Sequence, residues 1–259
     1  MFVNKEYRPL TIESFGVTDK GKKRLVNEDG FVINERLGLY LVVDGMGGND
    51  AGMIAGKTVL NALQSQLESF VHKAAQGDLD LAQYAKSYLT DALAYVNSIL
   101  YEMNVFRGYA EGSGMGAVVS GIWWIASANL ALVFHVGDSR VYLFRESQLE
   151  QLTVDHTMYQ LWKMKGGAGA PPPRNVIFRA LGARKELEVD IKRMELVKDD
   201  VALICSDGLT NMVDSEALNR LFECHALQDE GDGLSRTLVA RALDNGGLDN
   251  ITAVTLRVA

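Results

Sequence analysis

The sequence predicts an α+β fold, with sheets layered against helices. Three observations carry this. Strand patterns arrive in runs, two long helical patterns stand side by side between them, and strand and helix never alternate steadily as a doubly wound parallel sheet requires. No stretch of the 259 residues reads as an interdomain linker, so one large domain over 1–259 is expected.

Taken in order, Ile12 to Val17 and Phe31 to Asn34 read as short strands, and Leu39 to Val43 as a stronger one. Two amphipathic helices follow. Leu60, Leu63, Leu67, Phe70 and Val71 mark the core face of the first. Leu81, Tyr84, Tyr88, Leu89, Ala92, Val96, Ile99 and Met103 mark the second, their aromatic members read as core packing. Further strands are expected at Ala117 to Ala126, Leu130 to Val136, Val141 to Phe144, Val201 to Cys205 and Ile251 to Val258. Ala217 to Cys224 and Leu234 to Leu243 read as helices. Between Gly166 and Pro173 lies GGAGAPPP, which cannot continue a helix and reads as an exposed, mobile excursion.

Composition excludes several classes. A net charge of -7 and a pI near 5.2 leave no basic footprint for nucleic acid or an anionic membrane. The N-terminus MFVNKEYRPLTIESFG has no continuous apolar stretch, so no signal peptide is expected, and no run approaches the roughly 18 apolar residues of a membrane span. Two cysteines make no disulfide framework, which fits a reducing cytoplasm.

The chemistry is concentrated where apolar strands meet aspartates. Leu39 to Val43 delivers Asp44-Gly45, Leu130 to Val136 delivers Gly137-Asp138, and Val201 to Cys205 runs through Ser206 into Asp207-Gly208. A continuous apolar run is expected to be buried on both faces, which puts the following aspartate at the rim of a sheet. Glu28-Asp29 and Asp249-Asn250 each precede a further strand. One Asp-Gly pair alone reads as a turn. Three such junctions point instead to carboxylates converging at one edge, an arrangement that is costly unless cations neutralise it. Oxygen ligands alone favour Mg²⁺ or Mn²⁺ over Zn²⁺.

These residues sit in eight segments that together resemble the PP2C (PPM) family of metal-dependent protein phosphatases, in particular its compact bacterial members. The segments are TDKGKKRLVNED (Thr18 to Asp29), VVDGMGG (Val42 to Gly48), GSGMGA (Gly112 to Ala117), VGDSRVY (Val136 to Tyr142), LTVDHT (Leu152 to Thr157), NVIFRALG (Asn175 to Gly182), CSDGL (Cys205 to Leu209) and LDNIT (Leu248 to Thr252). The resemblance implies an α-β-β-α sandwich of two mainly antiparallel sheets, a single phosphatase domain with a flap-like segment around 156–180, and a centre of two Mn²⁺ or Mg²⁺ ions with a weaker third. It implies that Asp44 bridges two ions with the Gly45 carbonyl as a further ligand. Asp207 and Asp249 would complete the second site, and Asp138 with Asp207 would hold the third ion. Glu28 and Asp29 would orient water, and Arg24 would grip the substrate phosphate. Without the NED that follows it, Arg24 would read as a solvated cation of the basic run Lys20 to Arg24.

The implied reaction is hydrolysis of phosphoserine and phosphothreonine on proteins by a hydroxide bridging the metals, attacking phosphorus in line, with a metal-bound water protonating the leaving alkoxide. The implied setting is a cytoplasmic monomer opposing a Ser/Thr kinase. Two positions depart from the bacterial pattern: Asn49 stands where histidine is common, and Met53 where glutamate is. They motivate the alternative of a phosphoprotein-binding regulator with little or no turnover.

Other classes fit less well. Ala51 to Thr58 imitates a Walker A loop but lacks its first glycine. Cysteine-phosphatase chemistry needs an arginine six residues after the cysteine, where Asn211 and Glu230 stand instead. The four histidines, His72, His135, His156 and His225, are scattered, and His156 is expected to orient a loop near the flap.

Overall fold

The computed structural model describes residues 10–48, 50–77, 80–226 and 233–259. Among these residues ten strands form two five-stranded sheets, and all their strand pairs are antiparallel. The first sheet runs β1 (Ile12–Asp19), β10 (Ile251–Val258), β9 (Val201–Cys205), β6 (Arg140–Arg145), β7 (Gln148–Gln151). The second runs β2 (Asp29–Asn34), β3 (Leu39–Met46), β4 (Gly116–Ile125), β5 (Leu130–Val136), β8 (Asp190–Met194). Helices α1 (Ala51–Ala75) and α2 (Leu81–Phe106) cover the second sheet; α5 (Ser215–Ala226) and α6 (Gly233–Asp244) cover the first. The layering is the α-β-β-α sandwich expected.

Side-chain alternation explains why Leu39 to Val43 of β3 and all of β9 are apolar. On β3, Leu39, Leu41 and Val43 face the helices, while Tyr40 and Val42 face the other sheet. On β9, Leu203 and Cys205 meet α5 and α6, and Ala202 and Ile204 meet the second sheet. Both faces are buried, so neither needs a polar residue. Helix α2 starts at Asp80, whose side chain accepts from the Gln83 amide at 3.1 Å. Its buried stripe includes Asn97 and Asn104. These bind the backbone of Arg184, Lys185 and Gly182, and of Met115 and Gly182, respectively. The chain from Gly182 to Lys185 is thereby tied to the helix layer.

Several expectations are corrected. β2 begins at Asp29 and not at Phe31, and β3 continues to Met46, so Asp44 lies inside a strand instead of beyond its end. Tyr84, expected in the core, is exposed. Several short elements went unanticipated, among them two strands and one helix. β7 and β8 are short and largely polar edge strands without an apolar run to announce them. α3 (Met158–Met164) is too short to establish a period; Thr157 caps it by accepting from the Gln160 amide at 3.2 Å. GGAGAPPP contains no regular element and is mostly exposed. Ala51 to Thr58 lies entirely within α1, which removes the phosphate-loop reading. The N-terminal residues 1–9 and Asn49 lie outside the described residues.

Candidate active site

Strand alternation delivers the acids to one end of the space between the sheets. Asp29 is paired in register with Asp44. Asp29 shares a face with Phe31 and Ile33, and Asp44 with Tyr40 and Val42; that face looks toward the other sheet. From the opposite sheet, Ser206 follows Ile204 and Thr252 precedes Val254 on the same inward face. Both hydroxyls donate to Asp29 Oδ2 at 2.7 Å. The two sheets are therefore joined at this end by a polar plug, where elsewhere they are joined by apolar contact.

The remaining acids come from loops abutting that plug. Asp138 follows Gly137, whose φ of +114° suits glycine alone and whose missing Cβ avoids Val118. Asp207 opens the single turn α4 (Asp207–Thr210), and Asn211 Nδ2 donates to its Oδ2 at 3.0 Å. Asp249 Oδ2 accepts from Arg24 Nη2 at 2.7 Å, and its Oδ1 accepts the Asn250 amide at 2.8 Å. The Glu28 carboxylate lies against Gly52 and accepts from its amide. A side chain at Gly45 would strike the Gly52 carbonyl, so the two glycines let α1 close on the end of β3. All six acids and Arg24 are thus gathered in one neighbourhood.

Electrostatics describe a cluster short of positive charge. Asp44 is held well above the usual carboxylate range, first by burial and then by the charges of Asp29, Asp207, Asp138 and Asp249. Burial, with Asp207 and Asp155, pushes Asp138 up to about 7. Burial pushes Asp29 up to about 6, against the lowering effect of the Thr252 and Ser206 hydroxyls. Asp207 is raised by burial and then by Asp249, and Glu28 is raised by burial despite the opposing pull of Arg24. Asp138 Oδ1 is buried with no hydrogen-bond partner among the described residues. An orphaned carboxylate oxygen amid acids that resist ionisation is the environment a divalent cation relieves, so the donor set fits hard cations. Among the described residues no three ligand-type side chains close on one point by themselves. Water and backbone carbonyls would therefore have to complete an ion's shell, as is usual for Mg²⁺.

Sequence reasoning did not find the residues that hold the acids. Asn250 is the centre of that support: its Oδ1 accepts the Glu28 amide at 2.9 Å, and its Nδ2 donates to the carbonyls of Lys20 and Val26, each at 2.9 Å. Asn250→Ala leaves a part-buried amide and two part-buried carbonyls without this partner. It is expected to cost about 2–4 kcal/mol, read as a lowered midpoint in urea. The available signal for Ser206 and Thr252 was a polar residue on the inward side of an otherwise apolar strand. His156 does orient a loop, as expected: its Nδ1 accepts the Gly137 amide at 3.0 Å, and its own amide donates to the Gly137 carbonyl at 2.6 Å. It thereby fixes the turn carrying Asp138. Cys205 is fully buried and its thiol is pushed up to about 12, unsuited to a nucleophile.

Comparison with known proteins agrees with this arrangement. The family described as Protein phosphatase 2C matches residues 20–241. The serine/threonine phosphatase stp of Listeria welshimeri is 32% identical over 248 residues, covering 92% of each chain. Among solved structures, Stp1 from Staphylococcus aureus superposes with a TM-score of 0.82 at 28% identity, covering 96% of each chain. The catalytic domain of the serine/threonine protein phosphatase PstP, in complex with two manganese ions, gives a TM-score of 0.79 at 30% identity and covers 96% of this chain and 99% of that one. A matching family description over most of the chain, relatives aligned nearly end to end and a shared sandwich leave one assignment: the chain belongs to the protein phosphatase 2C family.

Proposed function

We propose that this chain is a protein-serine/threonine phosphatase that hydrolyses phosphoserine and phosphothreonine with the help of Mn²⁺ or Mg²⁺. The observation that carries the reading is Asp44, partly buried at the meeting of both sheets and held above the usual carboxylate range by desolvation and then by the charges of four neighbouring carboxylates. Asp44, the Gly45 carbonyl, Asp207 and Asp249 would hold two ions, and Asp138 with Asp207 a weaker third. When bound, such ions supply Lewis acidity and lower the pKa of water into the neutral range.

The chain's own residues do the rest. Glu28 and Asp29 accept hydrogen bonds from water and orient it; Ser206 and Thr252 occupy Asp29 Oδ2 and so fix which way its other oxygen points. Arg24 is half exposed on Asp249 and can exchange that carboxylate for a phosphoryl oxygen. Arg24→Ala is expected to lower kcat/KM for a phosphothreonine peptide about 10²-fold, chiefly through KM, with little loss of stability, because its ion pair is solvent-screened. Steady-state kinetics with a parallel thermal melt checks both halves.

The family setting supports phosphorylated proteins as substrates, a Ser/Thr kinase as the opposing enzyme, a cytoplasmic monomer, and one phosphatase domain over 1–259 with a flap-like segment around 156–180. A phosphoprotein-binding regulator without turnover is less favoured, since a site that only bound would have no need of crowded carboxylates. The deciding experiment is hydrolysis of a phosphothreonine peptide with added Mn²⁺ and with EDTA. Turnover that requires Mn²⁺ supports the phosphatase; a folded, Mn²⁺-loaded protein that binds the peptide without turning it over supports the regulator.

A further inference from the structure

We propose that the cleft beneath the flap-like segment is a subsite for an anionic side chain, carboxylate or second phosphate, lying near the phosphoresidue of the substrate, and that Lys163 and Arg174 recognise it. The inference rests on the phosphatase reading and adds a sequence preference to it.

The cleft has a volume of about 620 Å³, within the range of sites that take a ligand of several groups. Asp138 and Asp207 line it, so it is continuous with the acid cluster. Lys163 and Arg174 line it from the flap-like segment, and Asn211 and Ser215 from the α4–α5 turn. A peptide whose phosphate reached the acid cluster would therefore pass within reach of both cations.

Those cations are available, and a third is not. Arg140 also lines the cleft, but its Nε and Nη2 are committed to Asp155 at 2.8 and 2.6 Å, and its Nη1 to the Tyr142 hydroxyl at 3.1 Å. Lys163 and Arg174 have no carboxylate partner among the described residues. The Arg174 guanidinium instead lies over the Tyr159 ring, 4.7 Å from its centre. Its Nη2 makes one long hydrogen bond, 3.5 Å to the Tyr159 hydroxyl, and stacking on the aromatic face holds the guanidinium in place with its other donors left for a carboxylate or phosphate. The acids on the opposite side are engaged: Asp155 with Arg140, and Asp214 with the Ala217 amide at 2.8 Å.

The platform carrying the two cations is anchored. Its stem is closed by Met158 donating to the Val176 carbonyl at 2.8 Å and Phe178 to the His156 carbonyl at 2.9 Å. Trp162 Nε1 donates to the Ala168 carbonyl at 2.8 Å, folding the glycine-rich stretch back over α3, and the Trp162 ring lies 5.6 Å from that of Tyr159. On a chain of net charge -7, an unpaired cation pair fixed beside an acid cluster gives the substrate path one positive end.

The test uses the full chain loaded with Mn²⁺. It compares kcat/KM for phosphothreonine peptides flanked by neutral residues, by glutamates on the N-terminal or C-terminal side, or by a second phosphothreonine. The expected preference for the best anionic peptide over the neutral one is about five- to tenfold at about 50 mM salt, shrinking as salt rises. The ratio is expected to fall near one in K163Q/R174Q and to favour a lysine-flanked peptide in K163E/R174E. Because the readout is a ratio, a general loss of activity in a variant cancels, and the single variants K163Q and R174Q should each give an intermediate ratio. Preference for glutamate or for the second phosphate identifies the anion. A wild-type ratio near one for every anionic peptide, or one unchanged in K163Q/R174Q, overturns the subsite alone. Absence of Mn²⁺-dependent turnover of even the neutral peptide and para-nitrophenyl phosphate overturns the phosphatase reading and the subsite with it.

Discussion

Asp44→Asn lowers kcat for a phosphothreonine peptide by roughly 10²–10³-fold while making the cation-free protein more stable. The two effects have one cause. Asp44 is partly buried, lies near four other carboxylates and is held well above the usual carboxylate range, so its ionised form is disfavoured in the folded chain. Asparagine keeps the shape and removes the charge, which relieves repulsion when no cation is bound. With Mn²⁺ present the same charge is what the site needs, and its loss removes transition-state stabilisation. Steady-state kinetics in Mn²⁺ and calorimetry in EDTA at about pH 8 measure the pair of effects. A variant that loses activity and cation-free stability together would mark Asp44 as a structural residue, against this account.

The cation-free protein is expected to lose stability as pH rises from about 6.5 to 8.5, by about 1–3 kcal/mol, or roughly 3–10 °C in Tm. Asp138 is raised from 3.8 to about 7 and Asp44 lies well above its ordinary value, so in this window the folded chain binds more protons than the unfolded one. A group with a raised folded pKa contributes stability that is complete below its unfolded pKa and is lost as pH climbs through the folded one. His135 acts in the opposite sense. It is buried against Ser120 and the Val154 carbonyl and is lowered to about 4, so its contribution is present above pH 6.5 and lost on acidification. The window above 6.5 therefore isolates the carboxylates. Melts in EDTA across this range should show the fall, Asp138→Asn should reduce it, and Mn²⁺ should raise Tm most at the alkaline end, where the acids are ionised and bind it best. A Tm that is flat or rising across the window in EDTA would contradict the charge-crowded site.

Much of this was legible in the residues. Leu39 to Val43, Leu130 to Val136 and Val201 to Cys205 are apolar but for His135, and such runs form strands only where both faces are covered. Each also leads within two residues to an aspartate, which singled out Asp44, Asp138 and Asp207; Glu28, Asp29 and Asp249 stood out as flanking further strands, and Arg24 was named only through the family resemblance. Asn49, the departure that raised the question of turnover, lies outside the described residues.

By itself, then, the sequence determined the class of fold, the layering of helices on sheets, and the acids whose crowding calls for cations, because hydrophobic periodicity and strand-end chemistry are local. Only the tertiary structure decided which oxygens stand together and what restrains them. Ser206 and Thr252 reach Asp29 across 177 and 223 residues of chain, and Asn250 ties Glu28 to the Lys20–Val26 loop across comparable separations. Lys163 and Arg174 share a cleft with Asp138 and Asp207 only because the tertiary fold brings α3 and the α4–α5 turn to the same opening. Hydrogen bonds and charge pairing depend on distances that period and composition do not encode, so they appear only once the two sheets have met.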